Sequence, residues 1–280
     1  MRTVHISEIT ETVKKLCIEA NIYLGADIKK AISASGKTEI SETAKSILEK
    51  LEENMRVAEE KEIPVCQDTG MAVVFVKVGQ EVHIEGGLLT DAIHEGVALG
   101  YTEGYLRKSV VEDPIRRKNT GDNTPAVIHY DIVAGDKIEI TVAPKGFGSE
   151  NMGALKMLKP AEGLEGVKAF VIDTVKRAGA NPCPPIVVGV GIGGTMEKCT
   201  LLAKQALSVD LDQENPDPFY AELERELLCA INETGIGVQG FGGKTTALGV
   251  KILAYPTHIA GLPCAVNINC HVTRHKTAVI

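Results

Sequence analysis

The sequence predicts a mixed α/β (α+β) protein: a helical N-terminal segment over residues 1–62, then a mixed-sheet region over 63–280, together one domain. Three observations lead there. Apolar residues recur at helical steps through the first sixty positions. From Pro64 the texture changes to short strand-like runs alternating with helices and glycine-rich turns. No internal repeat, low-complexity linker or clean βαβ series interrupts this order.

Each element has its own signal. Ile9, Val13, Leu16, Cys17 and Ala20 form one apolar stripe, and Ala44, Ile47, Leu48, Leu51, Met55 and Ala58 form another, so both stretches are helices. Residues 72–78 (AVVFVKV) read as a strand and 88–107 as a helix. Residues 126–133 and 137–142 read as paired strands, because Ala134-Gly135-Asp136 between them is turn chemistry. Residues 167–178 form a helix, 186–190 a buried strand, and 195–207 and 217–234 two more helices. Residues 247–254 and 265–268 are late strands, and the acidic stretch 210–217 is a surface loop.

Composition removes several function classes. The 280 residues carry a net charge of −7, with 4% aromatics and no Trp. A general polyanion binder and a base-stacking platform are both disfavoured, so no nucleic-acid partner is expected. No run of about 18 apolar residues exists, so no membrane partner is expected. Glu8, Glu11, Lys14 and Lys15 interrupt the N-terminus, which lacks a signal-peptide apolar region. The expected location is cytoplasmic.

Two glycine motifs fail on inspection. Gly189, Gly191 and Gly194 match G-x-G-x-x-G, and Asp210 lies at a tempting distance. A dinucleotide site needs that acid at the end of a second strand, and there is no room for one. The alternative is a tight strand-to-helix turn whose backbone approaches a ligand or another segment closely. Gly242-Gly243-Lys244-Thr245 resembles the end of a phosphate loop, but the leading glycine should stand at Val238 and Gly237 is one residue early. It reads instead as a basic glycine turn near an anionic ligand.

The seven cysteines are odd in number and dispersed, with no C-x-x-C pair, so neither a disulfide framework nor a zinc ribbon is expected. Cys17, Cys199 and Cys229 fall on helices and read as core; Cys264 begins an apolar strand and is ambiguous. Cys66, Cys183 and Cys270 sit in loops fixed by Pro or Gly, among polar neighbours that suit a ligating thiolate. They are candidates to share a metal site.

The segments CQDTG (66–70), APKGFGSENM (143–152), NPCPPIVVGVGIGGT (181–195), GFGGKTTALGVKI (240–252) and YPTHIAGLPCAVNINCHVTRH (255–275) resemble the alpha-type catalytic half of class I, iron–sulfur-dependent fumarate hydratases. The L-tartrate dehydratase alpha subunit is a close relative of that half. The resemblance implies a [4Fe–4S] cluster held by Cys66, Cys183 and Cys270, with one iron left free to act on substrate. It implies Asp68 as catalytic acid and His258 as its proton relay. It also implies Gln67, Arg107 and the backbone of Gly148 as contacts to a small dicarboxylate. Lys145, Lys244 and Arg274 add positive potential without an assigned role.

Single-chain members of that family continue into a second, swivelling domain that supplies a C3 base and further cations. Nothing in this sequence matches it. The chain is therefore expected to be an alpha subunit that works with a separate beta subunit, as a homodimer of alpha–beta pairs. The expected reaction is reversible hydration of fumarate to (S)-malate, within the tricarboxylic acid cycle. His271 after the third cysteine favours this, since the tartrate enzymes tend to carry an aromatic there. L-tartrate dehydration is the alternative, and a non-catalytic iron–sulfur scaffold a further one. The apolar ending Thr277-Ala-Val-Ile280 fits docking on another chain or ordinary packing.

Overall fold

The computed structural model describes residues 2–280. In chain order the elements open with β1 (Arg2–His5), α1 (Ile6–Ile22), α2 (Ala26–Thr38) and α3 (Glu42–Lys61). β2 (Met71–Gly79), β3 (Val82–Glu85), α4 (Leu89–Glu103), β4 (Val127–Val133), β5 (Ile138–Lys145) and α5 (Phe147–Glu150) follow. Then come β6 (Ala154–Leu158), α6 (Gly163–Ala178), β7 (Ile186–Gly193), α7 (Met196–Ala206) and α8 (Pro218–Asn232). The last are β8 (Ala247–Tyr255), β9 (Leu262–Asn269) and β10 (Lys276–Val279). The mixed α/β class is as expected. No described helix is long and apolar enough to cross a membrane.

Two compact units divide these elements. One comprises the chain up to Leu24, Val57–Phe147 and Arg274–Ile280; the other comprises Gly25–Arg56 and Gly148–Thr273. The helical stretch 1–62 is thus shared between them.

The first unit is built on a four-stranded sheet of order β10-β5-β2-β4, with β1 and β3 as a separate parallel pair. Residues 126–133 and 137–142 are strands as expected, but they do not pair with each other. β2 lies between them, parallel to β4 and antiparallel to β5. The 134–137 turn crosses the end of β2, where the N–H of Gly79 meets the carbonyl of Lys137 and that of Gln80 meets Val133. The order follows burial. β2 places Ala72, Val74 and Val76 in the core and takes the centre, whereas most of β4 is exposed and suits only an edge. Ile9, Val13, Leu16, Ile93, Val97 and Tyr101 from α1 and α4 cover that core. The C-terminal residues pack within this unit: β10 pairs with β5, and Ile280 is buried in the same core.

The second unit holds a sheet of order β6-β9-β7-β8. β7 is buried along its whole length, and its sequence IVVGVGIG serves two faces. Val188, Val190 and Ile192 join the core made with α6 and α8, while Gly189 and Gly191 face α7. A Cβ on Gly191 would stand 2.0 Å from the Cys199 carbonyl oxygen, so only glycine lets α7 lie this close. The alternating glycines are therefore a strand-period packing pattern, as the close-approach alternative held. Cys199 and Cys264 are buried as core; Cys229 is not, because the buried positions of α8 (Leu223, Leu227, Ile231) turn it outward.

Candidate functional site

In the first unit the expected catalytic acid is held by its own loop. Asp68 Oδ1 accepts from the Gly70 N–H and Oδ2 from the Phe147 N–H, both at 3.0 Å. The carboxylate is half-buried and cannot turn without losing one of these bonds. The loop is fixed from beneath. Tyr101, fully buried on α4, donates to the carbonyls of Thr69 (2.8 Å) and Gly70 (3.1 Å). Burial pushes its phenol well above the usual range, so it stays a donor. Asn123 Nδ2 donates to the Gly70 carbonyl at 3.2 Å. Arg274, 5% exposed, donates from Nη2 to the carbonyl of Asp68.

Arg107 lies beside this loop, because its carbonyl accepts from Thr69 Oγ1 at 3.0 Å. It does not end a helix as expected. α4 stops at Glu103, where Gly104 caps it, and Tyr105 at φ 53° turns the chain out. Arg107 and Gln67 are exposed, as carboxylate-binding side chains need to be before a ligand arrives. Cys66 is half-buried.

In the second unit Cys183 and Cys270 sit on loops tied to each other. His271, next to Cys270, meets the Cys183 carbonyl through its backbone N–H (3.4 Å) and through ring Nδ1 (3.0 Å). Gln239 closes the arrangement. Its N–H donates to the Pro184 carbonyl at 2.8 Å, and its Nε2 meets the same oxygen at 2.6 Å and His271 Nδ1 at 3.2 Å. Cys183 (φ 53°) and Gln239 (φ 52°) both adopt left-handed backbone, a conformation costly for either and held by these bonds. Gly148 is exposed. His258 is exposed too, with its Nδ1 accepting from the Ala260 N–H at 3.2 Å.

The thiols divide by environment. Burial pushes Cys17 and Cys264 up to about 12, which makes them inert, and raises Cys199 as well. Cys183 is exposed, and Cys66 and Cys270 are half-buried. Among the described residues no three or more His, Cys, Asp or Glu side chains gather to hold a metal ion. Cys183 and Cys270, on loops bonded to each other, are accessible thiols whose sulfur donors suit an iron–sulfur centre.

At the basic glycine turn, where the sequence suggests an anionic ligand, the structure places an internal carboxylate instead. Glu39, 3% exposed, accepts at Oε1 from the N–H of Ile40 (2.8 Å) and Ser41 (3.1 Å), and at Oε2 from Lys244 (2.8 Å). Gly243 has φ 104°, and a Cβ there would stand 2.8 Å from that carboxylate. The residues missed in the sequence are of this kind. Tyr101, Asn123, Gln239 and Glu39 act through loops far from them in the chain, and no local motif marks them.

A family model described as fumarate hydratase (fumerase) matches residues 10–279. A Methanocaldococcus jannaschii protein named "Putative L(+)-tartrate dehydratase subunit alpha" is 44% identical over 273 residues, covering 95% of each chain. The L(+)-tartrate dehydratase subunit alpha of Escherichia coli O157:H7 is 33% identical over 279 residues, covering 98% of this chain and 91% of its own.

Proposed function

The chain belongs to the fumarate hydratase (fumerase) family, a family of hydro-lyases, and from that premise we propose that it is an alpha subunit that interconverts fumarate and (S)-malate together with a beta subunit. The observation that carries this reading is Asp68, a carboxylate fixed at both oxygens two residues after a candidate thiolate ligand.

Cys66, Cys183 and Cys270 would hold the [4Fe–4S] cluster, which when bound supplies a Lewis-acidic iron. Asp68 gives a proton to the hydroxyl leaving C2 in dehydration and takes one from water in hydration. His258 exchanges that proton onward. Arg107 meets one substrate carboxylate with its planar fork, and Gln67 and the backbone of Gly148 fix the substrate's orientation. No residue assigned here is a base for C3 or a cation for the second carboxylate, which is why a beta subunit belongs to the proposal.

The names of the two relatives favour a second reading, dehydration of L-tartrate. The substrates differ by one hydroxyl at C3, and His271 after Cys270 supports fumarate. The deciding experiment is a substrate panel on the anaerobically reconstituted alpha–beta complex. Fumarate and (S)-malate should show the highest kcat/KM. A higher value for L-tartrate would replace the first reading by the second. No turnover of either, with four irons and four sulfides bound, would remove both in favour of a scaffold.

A further inference from the structure

Arg274 is a buried cation that the mechanism leaves unused. Its Nη2 donates to the Asp68 carbonyl, while Nε and Nη1 are buried without a hydrogen-bond partner. Among the described residues no carboxylate pairs with it. Of the described side chains of the first unit, those both charged and buried are Lys145 and Arg274, and both are cations. The second unit, by contrast, buries Glu39 and Glu224 as well as Lys251. A buried charge without a counter-charge is costly, because it has given up its water and gained no partner.

Holding the Asp68 carbonyl does not account for that charge. The next two carbonyls of the same loop, those of Thr69 and Gly70, are held by Tyr101 and Asn123, which are neutral donors. A neutral donor would serve at Asp68 as well, and would leave no unpaired charge under the loop. Nor is the Asp68 carboxylate the counter-charge. Its two oxygens take the N–H groups of Gly70 and Phe147, and Arg274 meets this residue at the backbone instead. The guanidinium thus calls for an anion that the loop itself carries, and the loop carries Cys66.

We infer that Arg274 is the buried counter-charge of the iron–sulfur cluster, a positioning residue that acts through the loop of Cys66 and is not a ligand. The inference rests on the proposed assignment of Cys66, Cys183 and Cys270 as the cluster's thiolates. Three thiolates outweigh the charge of the common cluster core and leave the whole net negative, and net charge is one of the quantities that set such a cluster's potential. Cys66 precedes Asp68 by two residues, a span of at most about 7 Å. At an effective dielectric constant of about 20, opposite unit charges about 10 Å apart shift an equilibrium roughly tenfold. Burial spares this interaction much of the screening by salt. Reduction adds negative charge to the cluster, so Arg274 favours both its retention and its reduced form.

The test uses the full-length chain, reconstituted anaerobically with ferrous iron and sulfide. Arg274→Gln keeps a donor for the Asp68 carbonyl and removes the charge, whereas Arg274→Lys keeps the charge. The glutamine variant should lose iron to a chelator about tenfold faster than wild type, and its cluster should be reduced at a more negative potential in a dithionite titration. The lysine variant should stay close to wild type in both. Thermal melts of the iron-free chains separate this from a folding defect: without iron the glutamine variant should be at least as stable as wild type, since it removes an unpaired charge. Equal iron loss and equal potential in wild type and Arg274→Gln overturn the inference. So does a lysine variant as impaired as the glutamine one, or an iron-free glutamine variant less stable than wild type. A wild-type chain that takes up no iron and sulfide overturns it together with the proposed function, whereas the other results overturn it alone.

Discussion

Replacing Glu39 by glutamine tests whether the glycine turn at 242–245 is built around an internal carboxylate. Burial alone would push the Glu39 carboxyl up, yet N–H donors from Ser41, Ile40, Lys244 and Thr245 outweigh it and hold the group below its ordinary value. Glutamine keeps the shape but turns an NH2 group toward one pair of these donors. Two hydrogen bonds to a charged acceptor are lost inside the fold, and such bonds contribute roughly 1.5–3 kcal/mol each. The expected destabilisation is at least about 3 kcal/mol, a fall in Tm of about 6–12 °C for a chain of this order of size. The pH dependence has a definite sign. A depressed carboxyl contributes stability above its ordinary range, and that contribution disappears as pH falls through the folded value. Thermal melts of both proteins from pH 7 to pH 3 should therefore converge on acidification. A variant as stable as wild type at pH 7, or one rescued by millimolar phosphate, would show that the turn serves an external anion.

Other residues give sharper functional readouts. Asp68→Asn should lower turnover ~10²–10⁴-fold with little change in KM, while Arg107→Met should mainly raise KM; near-normal turnover of Asp68→Asn with the cluster intact would remove the acid assignment. Gly191→Ala forces a methyl to 2.0 Å from the Cys199 carbonyl, so α7 must shift, costing about 1–3 kcal/mol or more, read by denaturant unfolding. Gln239→Ala removes the side-chain bonds to Pro184 and His271, and should raise the rate at which a chelator takes iron from the reconstituted chain. Equal release rates would mean that the loop of Cys183 holds its shape without Gln239.

By itself the sequence determined whatever depends on periodicity or on one continuous segment. The helical stripes of α1 and α3, the strands β2, β7 and β8, and the loop position of Cys66, Cys183 and Cys270 were all legible, because each is a local pattern. The family resemblance was legible for the same reason, being carried by short contiguous motifs. Partnership was not. Residues 134–136 do form a turn, but not that of the expected hairpin, because strand neighbours are chosen by burial across the whole sheet, and β2 lies between β4 and β5. The edge strands β6 and β10 gave too few core positions to announce themselves. The alternating glycines of β7 match G-x-G-x-x-G but fail as a dinucleotide site already in the sequence; which segment they let approach, α7, only the structure shows. Tyr101, Asn123, Gln239 and Glu39 carried no motif, since each acts in part through side-chain polar atoms placed against backbone groups distant in the chain. A hydrogen bond of that kind has direction and short range, so only the tertiary structure could decide which donor found which carbonyl.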